Sequence, residues 1–492
     1  MTALAIVLSL PQRFRPEKWN GKTMQVQLDF SEPQALQYLV TVSEKGCSLE
    51  SGVSDSADCV VRCSGENYAK MEMGELNPQW ALMSGKVKVS NVAMMLEFTK
   101  QFRRIKPGSM PDSPTLSRPK ISGPLEGIKV LDLSRLLPGP LASLWLAELG
   151  AEIIKIEDPD SPDPIREFVP LVKGVSVFHT ALNRHKKSLA LNLRTDQGKK
   201  AFLKLVAKAD MVLEGFRPGV MAKIGLDAET CRKANPGLIF VSISGYGQTG
   251  PLAHLAGHDL NYLAMSGLLS LIGEGQMPSF QTADVAGGSY AALSGILAAL
   301  LQKHRQGKGA FLDISMTEAA MPLGLLANEH RKALPDATFE LSGSMPNYRL
   351  YSTKDGRFMA LAALEPKFWE LFCRHAGKEH LLNMYLFSEE KRHESIAELE
   401  RFFLEKTMKE WMDWTAGQDF CLTPVLNQME VRQHPHFKAR NSFDEAGYQR
   451  NPFGFTVQEN QGWPAPSLGE DSEAILIEFG FSKSEISSLL TI

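Results

Sequence analysis

A histidine and two carboxylates lie close together in the sequence among small and apolar residues. His258 and Asp259 stand in the segment GHDLNYLAMSG, and Asp284 follows in the segment ADVAGG. An imidazole and a partly desolvated carboxyl group are suited to general acid–base work near neutral pH. The residues by themselves also fit a plainer interpretation, in which Asp284 is a cap or turn residue and His258 is a solvated loop residue.

The elements around these residues would place them at the start of one helix and at the mouth of another. A loop rich in glycine and proline runs from Gly245 to Gly257, and an apolar run with helical spacing follows it, which predicts a helix with Asp259 as its N-cap. Free backbone N–H groups at such a start would hold a developing oxyanion. Two glycines follow Asp284 and would let a ligand approach the backbone, and an almost wholly apolar helix is expected from Tyr290 to Gln302.

The same segments resemble the paired motifs of α-methylacyl-CoA racemases, which belong to the family III CoA-transferase (CaiB/BaiF) superfamily. In that family the matching histidine and aspartate stand on opposite sides of the substrate's α-carbon, which the resemblance carries over to His258 and Asp284. A third match is Glu365, in LAALEPKFW, where the family's glutamate supports the histidine. The resemblance therefore implies a catalytic set of His258, Asp284 and Glu365, with the backbone N–H of Asp259 donating to the enolate oxygen.

Length, charge and cysteine spacing set the broad class of the protein. The chain has 492 residues, of which 43% are hydrophobic and 22% charged, so it is long enough for two or more cores. A formal net charge of −3 gives no support for nonspecific binding to nucleic acid or to a membrane surface. Six cysteines have no paired metal-ligand spacing, so we expect reduced thiols, a cytoplasmic location and no metal site. No stretch approaches the roughly 20 apolar residues of a spanning helix, so no membrane span is expected.

Residues 1–105 are predicted to form an α+β domain. Residues that favour strands alternate or cluster from Met24 to Phe30, from Gln37 to Val42 and from Ala57 to Cys63, as in antiparallel strands, and helical patterns follow. The stretch from Ala57 to Phe102, with LNP and ALMSGKVKV, resembles the sterol-carrier-protein-2 domain. In that family a sheet and helices enclose an apolar tunnel, so the resemblance implies a lipid or acyl chain as a partner. The methionines of this stretch fit either such a cavity or an ordinary core.

Residues 106–122 are rich in proline and serine and are predicted to be a linker. From Gly123 strands alternate with helices, which predicts an α/β fold with a parallel sheet. Segments that resemble family III CoA-transferases include GPLEGIKVLDLSRLLPGPLASLWLAELGAEIIKIEDP, VLEGFRPGVMAKIGLD and FVSISGYGQTGP. The resemblance implies a large CoA-binding domain over 123–320, a smaller α+β domain over 321–425 and a return to the large domain over 426–492.

Basic residues gather at two places in the α/β region. Arg184 and Lys186 follow Asn183 at the start of a strand, and Arg217 lies in a turn after a strand. Open α/β sheets bind ligands at the carboxyl ends of their strands, and arginine suits bidentate contacts with phosphate. The resemblance implies that Arg184, Lys186 and Arg217 bind the phosphates and adenosine of coenzyme A, which would enter as part of the acyl-CoA substrate. The chain departs from the family at His185, where glycine or serine is usual.

The resemblance implies a racemase that interconverts R and S 2-methylacyl-CoA thioesters through an enolate, without a further cofactor, and an interlocked homodimer. The rival enzyme is a CoA-transferase in which Asp284 would be a nucleophile. Transferases of this family generally lack the His-Asp pair that this chain has at 258 and 259. Many of them also carry a run of glycines where this chain has LSGSMPNY. Both differences oppose the transferase. A catalytically silent lipid carrier is a third hypothesis, which the joint presence of His258, Asp284 and Glu365 opposes. The lipid-carrier-like domain leads us to expect a hydrophobic acyl chain.

Overall fold

The structure is a computed structural model that describes residues 3–103 and 121–490, apart from 20, 32–36, 55, 173, 274, 384–386 and 455–462. The chain divides into compact units, Met1–Lys120 and Ile121–Ile492. The expected linker, residues 106–122, lies outside the described residues except at its last two positions. The expected domain boundaries within the second unit stay predictions.

The first unit combines a sheet with helices. Its elements in chain order are α1 (Ala3–Leu8), α2 (Leu10–Arg13), β1 (Met24–Ser31), β2 (Gln37–Ser43), β3 (Gly46–Ser51), β4 (Cys59–Ser64), α3 (Gly65–Glu72), α4 (Pro78–Met83), β5 (Val87–Val89) and α5 (Val92–Lys100). The strands form a sheet in the order β3-β2-β1-β4-β5. The strands that the sequence predicts are confirmed, but β1 and β4 pair in parallel rather than antiparallel. The reason is that the chain crosses back after the β1-β2-β3 hairpins and adds β4 on the far side of β1 in the same direction.

The core of the first unit lies between the sheet and its helices. Val26, Leu28 and Phe30 on alternate positions of β1 are buried, as period-two patterning requires. The methionines that pack against this core are Met71, Met73, Met94 and Met95. Met83, in contrast, is 88% exposed. Core packing therefore accounts for most of the methionines that the sequence singles out in this unit.

The second unit is built on a parallel sheet with helices on both faces. Its strands are β6 (Lys129–Asp132), β7 (Glu152–Glu157), β8 (Leu171–Val172), β9 (Val175–Ser176), β10 (Lys187–Ala190), β11 (Met211–Glu214), β12 (Ile239–Ser244) and β13 (Ala310–Ser315). Its helices are α6 (Pro138–Glu148), α7 (Val177–Asn183), α8 (Asp196–Val206), α9 (Val220–Lys223), α10 (Ala228–Ala234), α11 (Asp259–Met265), α12 (Leu269–Ile272), the π-helix Ala283–Tyr290, α13 (Ala291–Gln306), α14 (Met316–Ala320) and α15 (Leu325–Ala333). Short 3-10 helices cover Pro16–Lys18 in the first unit and Pro164–Arg166, Met321–Gly324, Glu340–Ser342 and Glu379–Leu381 in the second.

The order of the strands confirms the predicted α/β fold. The main sheet runs β10-β7-β6-β11-β12-β13, and every pairing described in it is parallel. Residues of the central strands alternate between two buried faces: on β6, Val130 packs on one side and Leu131 on the other. The chain goes from β6 outward through β7 to β10 and then returns to the opposite side of β6 at β11. A topological switch point therefore lies between β6 and β11, where open α/β sheets bind ligands.

A smaller sheet and the chain terminus complete the second unit. The smaller sheet is antiparallel, in the order β14 (Tyr348–Ser352), β15 (Phe358–Ala362) and β16 (Leu422–Pro424). It shares a core with α16 (Pro366–Ala376), α17 (Glu389–Phe403) and α18 (Met408–Trp414). The chain continues through α19 (Gln428–Gln433), α20 (Pro435–Ala439), α21 (Ser472–Glu478) and α22 (Lys483–Leu490). Leu476 and Leu489 join the core of the main sheet, so the chain terminus returns to that sheet.

Among the described residues, the helix from Ala283 to Gln306 has the length and apolar composition of a membrane span. It consists of the π-helix and α13, and its residues Ala292, Ile296 and Ala299 lie in the core of the main sheet. A core helix of a large protein has the same composition as a short span. The expectation that the chain has no membrane span stays a prediction.

Candidate active site

His258 is the N-cap of α11, one residue earlier than the sequence predicts. Its backbone N–H donates to Asn261 Oδ1 at 3.0 Å, and its carbonyl accepts from the N–H groups of Asn261 and Tyr262. Asp259 is therefore the first helical residue, not the cap. The physical reason is the Asn261 amide, which satisfies the N–H of the residue three positions before it, as in a capping box. The imidazole of His258 is exposed at this helix start.

Tyr262 holds the loop that leads to His258. Its hydroxyl donates to the carbonyl of Gly257, and its ring packs edge-on against Tyr246 with the centroids 5.3 Å apart. A Cβ atom on Gly245 or Gly257 would lie 2.3 or 2.7 Å from Tyr262 Cε1. Only glycine fits at both positions, so the loop backbone lies directly against the ring. Tyr262 thereby fixes the residue immediately before His258.

Asp284 lies in the first turn of the π-helix, and its side chain is half-buried. Burial raises the pKa of its carboxyl group to about 7, and the negative charge of Asp259 contributes in the same direction. The backbone N–H of Asp284 donates to Asp259 Oδ1 at 2.9 Å. Helical π-turns are rare and often mark functional sites. The structure therefore brings the start of α11 and the Asp284 turn together, with Asp259 between them.

The glycines after Asp284 serve packing. A Cβ atom on Gly287 would lie 2.3 Å from the carbonyl oxygen of Met316, and one on Gly288 would lie 2.7 Å from Pro138 Cβ. These contacts let the π-helix lie directly against α14 and the start of α6. The prediction that the two glycines admit a ligand is wrong, because neighbouring elements already occupy that space.

Glu365 is the N-cap of α16 at the end of the smaller sheet, and it is exposed. Within the described part of the chain, no hydrogen bond or ion pair joins Glu365 to His258. Glu365 lies near Cys421. The pKa of the Cys421 thiol is raised, first by burial and second by the negative charge of Glu365. The support of His258 by Glu365 stays a prediction.

Arg184 is held in a buried ion pair. Its Nη2 lies 2.7 Å from Glu148 Oε1, and its guanidinium lies 5.0 Å from the ring centroid of Tyr448. The next residue, His185, has a φ of 66°, in the left-handed region that glycine adopts most readily. Burial lowers the pKa of the His185 imidazole to about 4. Arg184 thus already has a carboxylate partner, and its binding of coenzyme A stays a prediction.

Lys186 directly precedes β10 and is fully buried. Its Nζ donates to the carbonyl of Pro140 at 2.9 Å and to Asn183 Oδ1 at 3.0 Å, and it lies 3.3 Å from Asp132 Oδ2. Burial lowers the pKa of the Lys186 ammonium to about 8. The Lys186 ammonium therefore already has partners within the fold, and its role in binding coenzyme A stays a prediction.

Arg217 is exposed in the turn after β11, at the carboxyl edge of the main sheet. Among the described residues, no carboxylate forms an ion pair with it. Burial raises the pKa of Tyr262 to about 12, and the charge of Arg217 opposes this rise. Arg217 therefore lies close enough to the loop before His258 for its charge to act there. Its phosphate-binding role stays a prediction, and its position is compatible with that role.

Two families match separate parts of this chain. Residues 125–472 match CoA-transferase family III, and residues 12–102 match the SCP-2 sterol transfer family. The chain belongs to CoA-transferase family III. The sequence expectation of this family, with a sterol-carrier-like domain before it, is confirmed.

Relatives in family III include racemases and transferases. The chain is 37% identical over 382 residues to "Alpha-methylacyl-CoA racemase" of Homo sapiens, covering 74% of this chain and 96% of that protein. It is 32% identical over 387 residues to "Acetyl-CoA:oxalate CoA-transferase" of Acetobacter aceti, covering 74% and 97%. A solved CAIB/BAIF family protein from Brucella suis aligns with a TM-score of 0.64 at 29% identity, covering 73% of this chain and 100% of that chain. Both named relatives are enzymes, and the expectation of a family III enzyme fold is confirmed.

Sequence reasoning missed a buried carboxyl group in this family III unit. Glu214 ends β11 and is 3% exposed, and burial raises the pKa of its carboxyl group to about 7. Its Oε2 accepts from the N–H of Phe216 at 2.7 Å. With Arg217, Ser242 and Gln248 it lines a cavity of about 200 Å³. The available signal was a glutamate at the end of an apolar strand, directly before the Gly-Phe-Arg-Pro turn.

Proposed function

We propose that this chain is a racemase that interconverts R and S 2-methylacyl-CoA thioesters by removing and replacing the α-proton. The observation that supports it most is the Asp284 carboxyl group, whose pKa is raised to about 7 and whose backbone is fixed by Asp259 to the helix that His258 caps. A carboxyl group with this pKa is partly protonated and partly ionised near neutral pH. Asp284 can therefore act as an acid for one hand of the substrate and as a base for the other.

The mechanism needs a base on one face of the α-carbon and an acid on the other. For one hand of the substrate, neutral His258 removes the α-proton and protonated Asp284 returns a proton to the opposite face; for the other hand, ionised Asp284 removes it and protonated His258 returns it. The enolate oxygen between these steps accepts from the backbone N–H of Asp259, for which no acceptor is present among the described residues. Such a donor contributes about 3 to 4 kcal/mol to transition-state stabilisation.

A homodimer is part of this proposal, with Glu365 supporting the His258 of a second copy. No hydrogen bond joins Glu365 to His258 of the same chain among the described residues. In a dimer, Glu365 of the second copy could take that place beside His258. Large apolar side chains are exposed in α11, in α12 and over residues 277–280 and 321–326, which supports their burial on association. They include Leu260, Met265, Leu271, Ile272, Met277, Phe280, Met321, Leu323, Leu325 and Leu326.

The proposed substrate carries a hydrophobic acyl chain, and the first unit is proposed to receive a lipid or acyl chain. The match of residues 12–102 to the SCP-2 sterol transfer family supports this role. Coenzyme A enters as part of the substrate, and the proposed chemistry uses neither a metal nor a redox cofactor. A cytoplasmic location completes the proposal.

The deciding experiment is exchange of the α-proton of a 2-methylacyl-CoA in heavy water, in the absence of any acceptor acid. Wild-type protein is compared with His258→Ala and with the control His254→Ala, which removes an exposed imidazole from the same loop. Exchange with loss of chirality that requires His258 and not His254 supports the racemase. Absence of exchange, together with transfer of CoA to an added carboxylate that requires Asp284, makes the protein a CoA-transferase.

A further inference from the structure

Arg135 and Arg217 occupy equivalent positions on neighbouring strands. Arg135 follows β6 and Arg217 follows β11, and these strands pair in parallel with Leu131 opposite Val212 and Asp132 opposite Leu213. Both arginines therefore lie at the carboxyl edge, on the two sides of the topological switch point. Ligands of open α/β sheets bind at such a point.

The two arginines differ in their charge partners from the buried cations of this unit. Four buried or nearly buried cations pair with carboxylates at 3.3 Å or less: Lys155 with Asp163, Arg166 with Glu157, Arg184 with Glu148 and Lys186 with Asp132. Within the described parts of the chain, neither Arg135 nor Arg217 forms an ion pair. The carboxyl edge at the switch point thus carries positive charge that the fold does not neutralise by pairing, which favours an anionic ligand.

Contacts hold the Arg135 guanidinium at the turn that carries Arg217. Its Nη2 donates to the carbonyl of Ser161 at 2.9 Å, and it lies 5.4 Å from the ring centroid of Phe216. Phe216 directly precedes Arg217, and Glu214 fixes this turn by accepting the N–H of Phe216. A guanidinium has five N–H donors, and the hydrogen bond to Ser161 leaves most of them for a ligand.

We propose that Arg135 binds the diphosphate of coenzyme A together with Arg217. The proposal rests on the proposed function only in taking a CoA thioester as the ligand. A diphosphate presents neighbouring negative charges, which match two guanidinium groups on adjacent strand ends. Guanidinium N–H groups also pair with phosphate oxygens in a bidentate geometry that a lysine cannot reproduce.

The test measures binding without turnover. Calorimetry gives the affinity of wild type, Arg135→Ala and Arg135→Lys for CoA and for 3′-dephospho-CoA, which keeps the diphosphate, and NMR titration gives the affinity for pantetheine, which lacks it. Arg135→Ala is expected to bind CoA and 3′-dephospho-CoA about 10- to 100-fold more weakly, with pantetheine unchanged. Arg135→Lys should lose less, because it keeps the charge. The control Arg374→Ala, which removes an exposed guanidinium from α16, should bind all three ligands as wild type does.

Other outcomes overturn the proposal. Unchanged affinity for CoA removes Arg135 from the site, and an equal loss for pantetheine assigns it a structural role in the 158–163 loop. A loss for CoA that is absent for 3′-dephospho-CoA places the guanidinium on the 3′-phosphate instead. If Arg135→Ala does not fold, Arg135→Gln, which keeps an N–H donor for Ser161, takes its place. Because no reaction is required, failure of the racemase proposal leaves these binding results valid by themselves.

Discussion

The backbone N–H of Asp284 donates to the carboxylate of Asp259 at 2.9 Å. This hydrogen bond joins the first turn of α11 to the first turn of the π-helix, so one side chain fixes the elements that carry His258 and Asp284 to each other. The same carboxylate carries the charge that, after burial, raises the pKa of Asp284. Both the position and the proton affinity of Asp284 therefore depend on Asp259.

Replacing Asp259 by asparagine should lower the pKa of Asp284. Asparagine keeps an oxygen for the N–H of Asp284 and removes the negative charge. If Asp284 acts as the base in one direction, as proposed, kcat/KM in that direction rises with pH as its carboxyl group ionises. We therefore expect the midpoint of this rise to move to lower pH in Asp259→Asn. The measurement is the pH profile of kcat/KM for each hand of the substrate, with the exposed Asp336→Asn as a control. An unmoved midpoint would contradict the link.

Replacing Asp284 by asparagine should abolish most of the activity while stabilising the protein at alkaline pH. The pKa of Asp284 is raised from its usual 3.8 to about 7. The native state then binds its proton more tightly than the unfolded state, so the stability that this group contributes is lost as pH rises toward 7. Asp284→Asn should have a higher Tm than wild type at pH 8 and a smaller advantage at pH 5. We expect α-proton exchange to fall by about 100- to 10,000-fold. A Tm advantage that is equal at both pH values would refute this account of the carboxyl group.

A methyl group at position 257 should disturb the candidate active site through Tyr262. The Cβ of alanine would lie 2.7 Å from Tyr262 Cε1, so either the ring or the loop before His258 must move. We expect Gly257→Ala to destabilise the protein by about 1 to 3 kcal/mol and to lower kcat. Gly237→Ala is the matched control, because the nearest atom to its added Cβ would be Asn235 Oδ1 at 3.5 Å, an ordinary contact distance. Denaturant unfolding and steady-state kinetics measure both effects, and similar results for the two variants would exclude the close contact as the cause.

Complementation between inactive variants tests whether the site draws residues from two chains. If His258 works with Glu365 of a second copy, a heterodimer of His258→Ala and Glu365→Gln contains one intact site. When the two variants are unfolded together in equal amounts and refolded, random pairing makes half of the dimers heterodimers, and each heterodimer has one intact site of its two. The mixture should then recover about one quarter of the wild-type activity. Each variant refolded by itself is the control. No recovery, despite heterodimers detected by mass spectrometry, would place both residues in the same chain or remove Glu365 from the site.

Removal of the first unit should change the preference for acyl chain length. A protein that lacks residues 1–110 keeps the whole of the Ile121–Ile492 unit, so we expect it to fold and to racemise short 2-methylacyl-CoA thioesters. Its kcat/KM should fall for long chains, because the first unit no longer supplies an apolar site for them. The measurement is kcat/KM across a series of acyl lengths. Equal values for the full and shortened chains would remove the first unit from substrate selection.

The sequence by itself determined the family, the strand and helix pattern and the identity of the central catalytic candidates. Strand positions such as β6 and β12 could be predicted because alternation and apolar runs report local backbone geometry. Long motifs such as GHDLNYLAMSG indicated the family, and the family resemblance identified His258 and Asp284 as catalytic candidates. None of these inferences requires knowledge of which residues meet across the fold.

Only the tertiary structure decided which partners surround each candidate. Asp259 and Asp284 are 25 positions apart, and their hydrogen bond follows from how α11 packs beside the π-helix. Lys186 resembles a solvated or ligand-binding lysine in the sequence, yet it is fully buried beside Asp132, 54 positions away. Arg135 became a candidate ligand-binding residue only through the strand order, because β6 and β11 are neighbours and place Arg135 across the switch point from Arg217. Local patterns specify backbone conformation, whereas charge pairing, burial and pKa depend on contacts between segments that are distant in the chain.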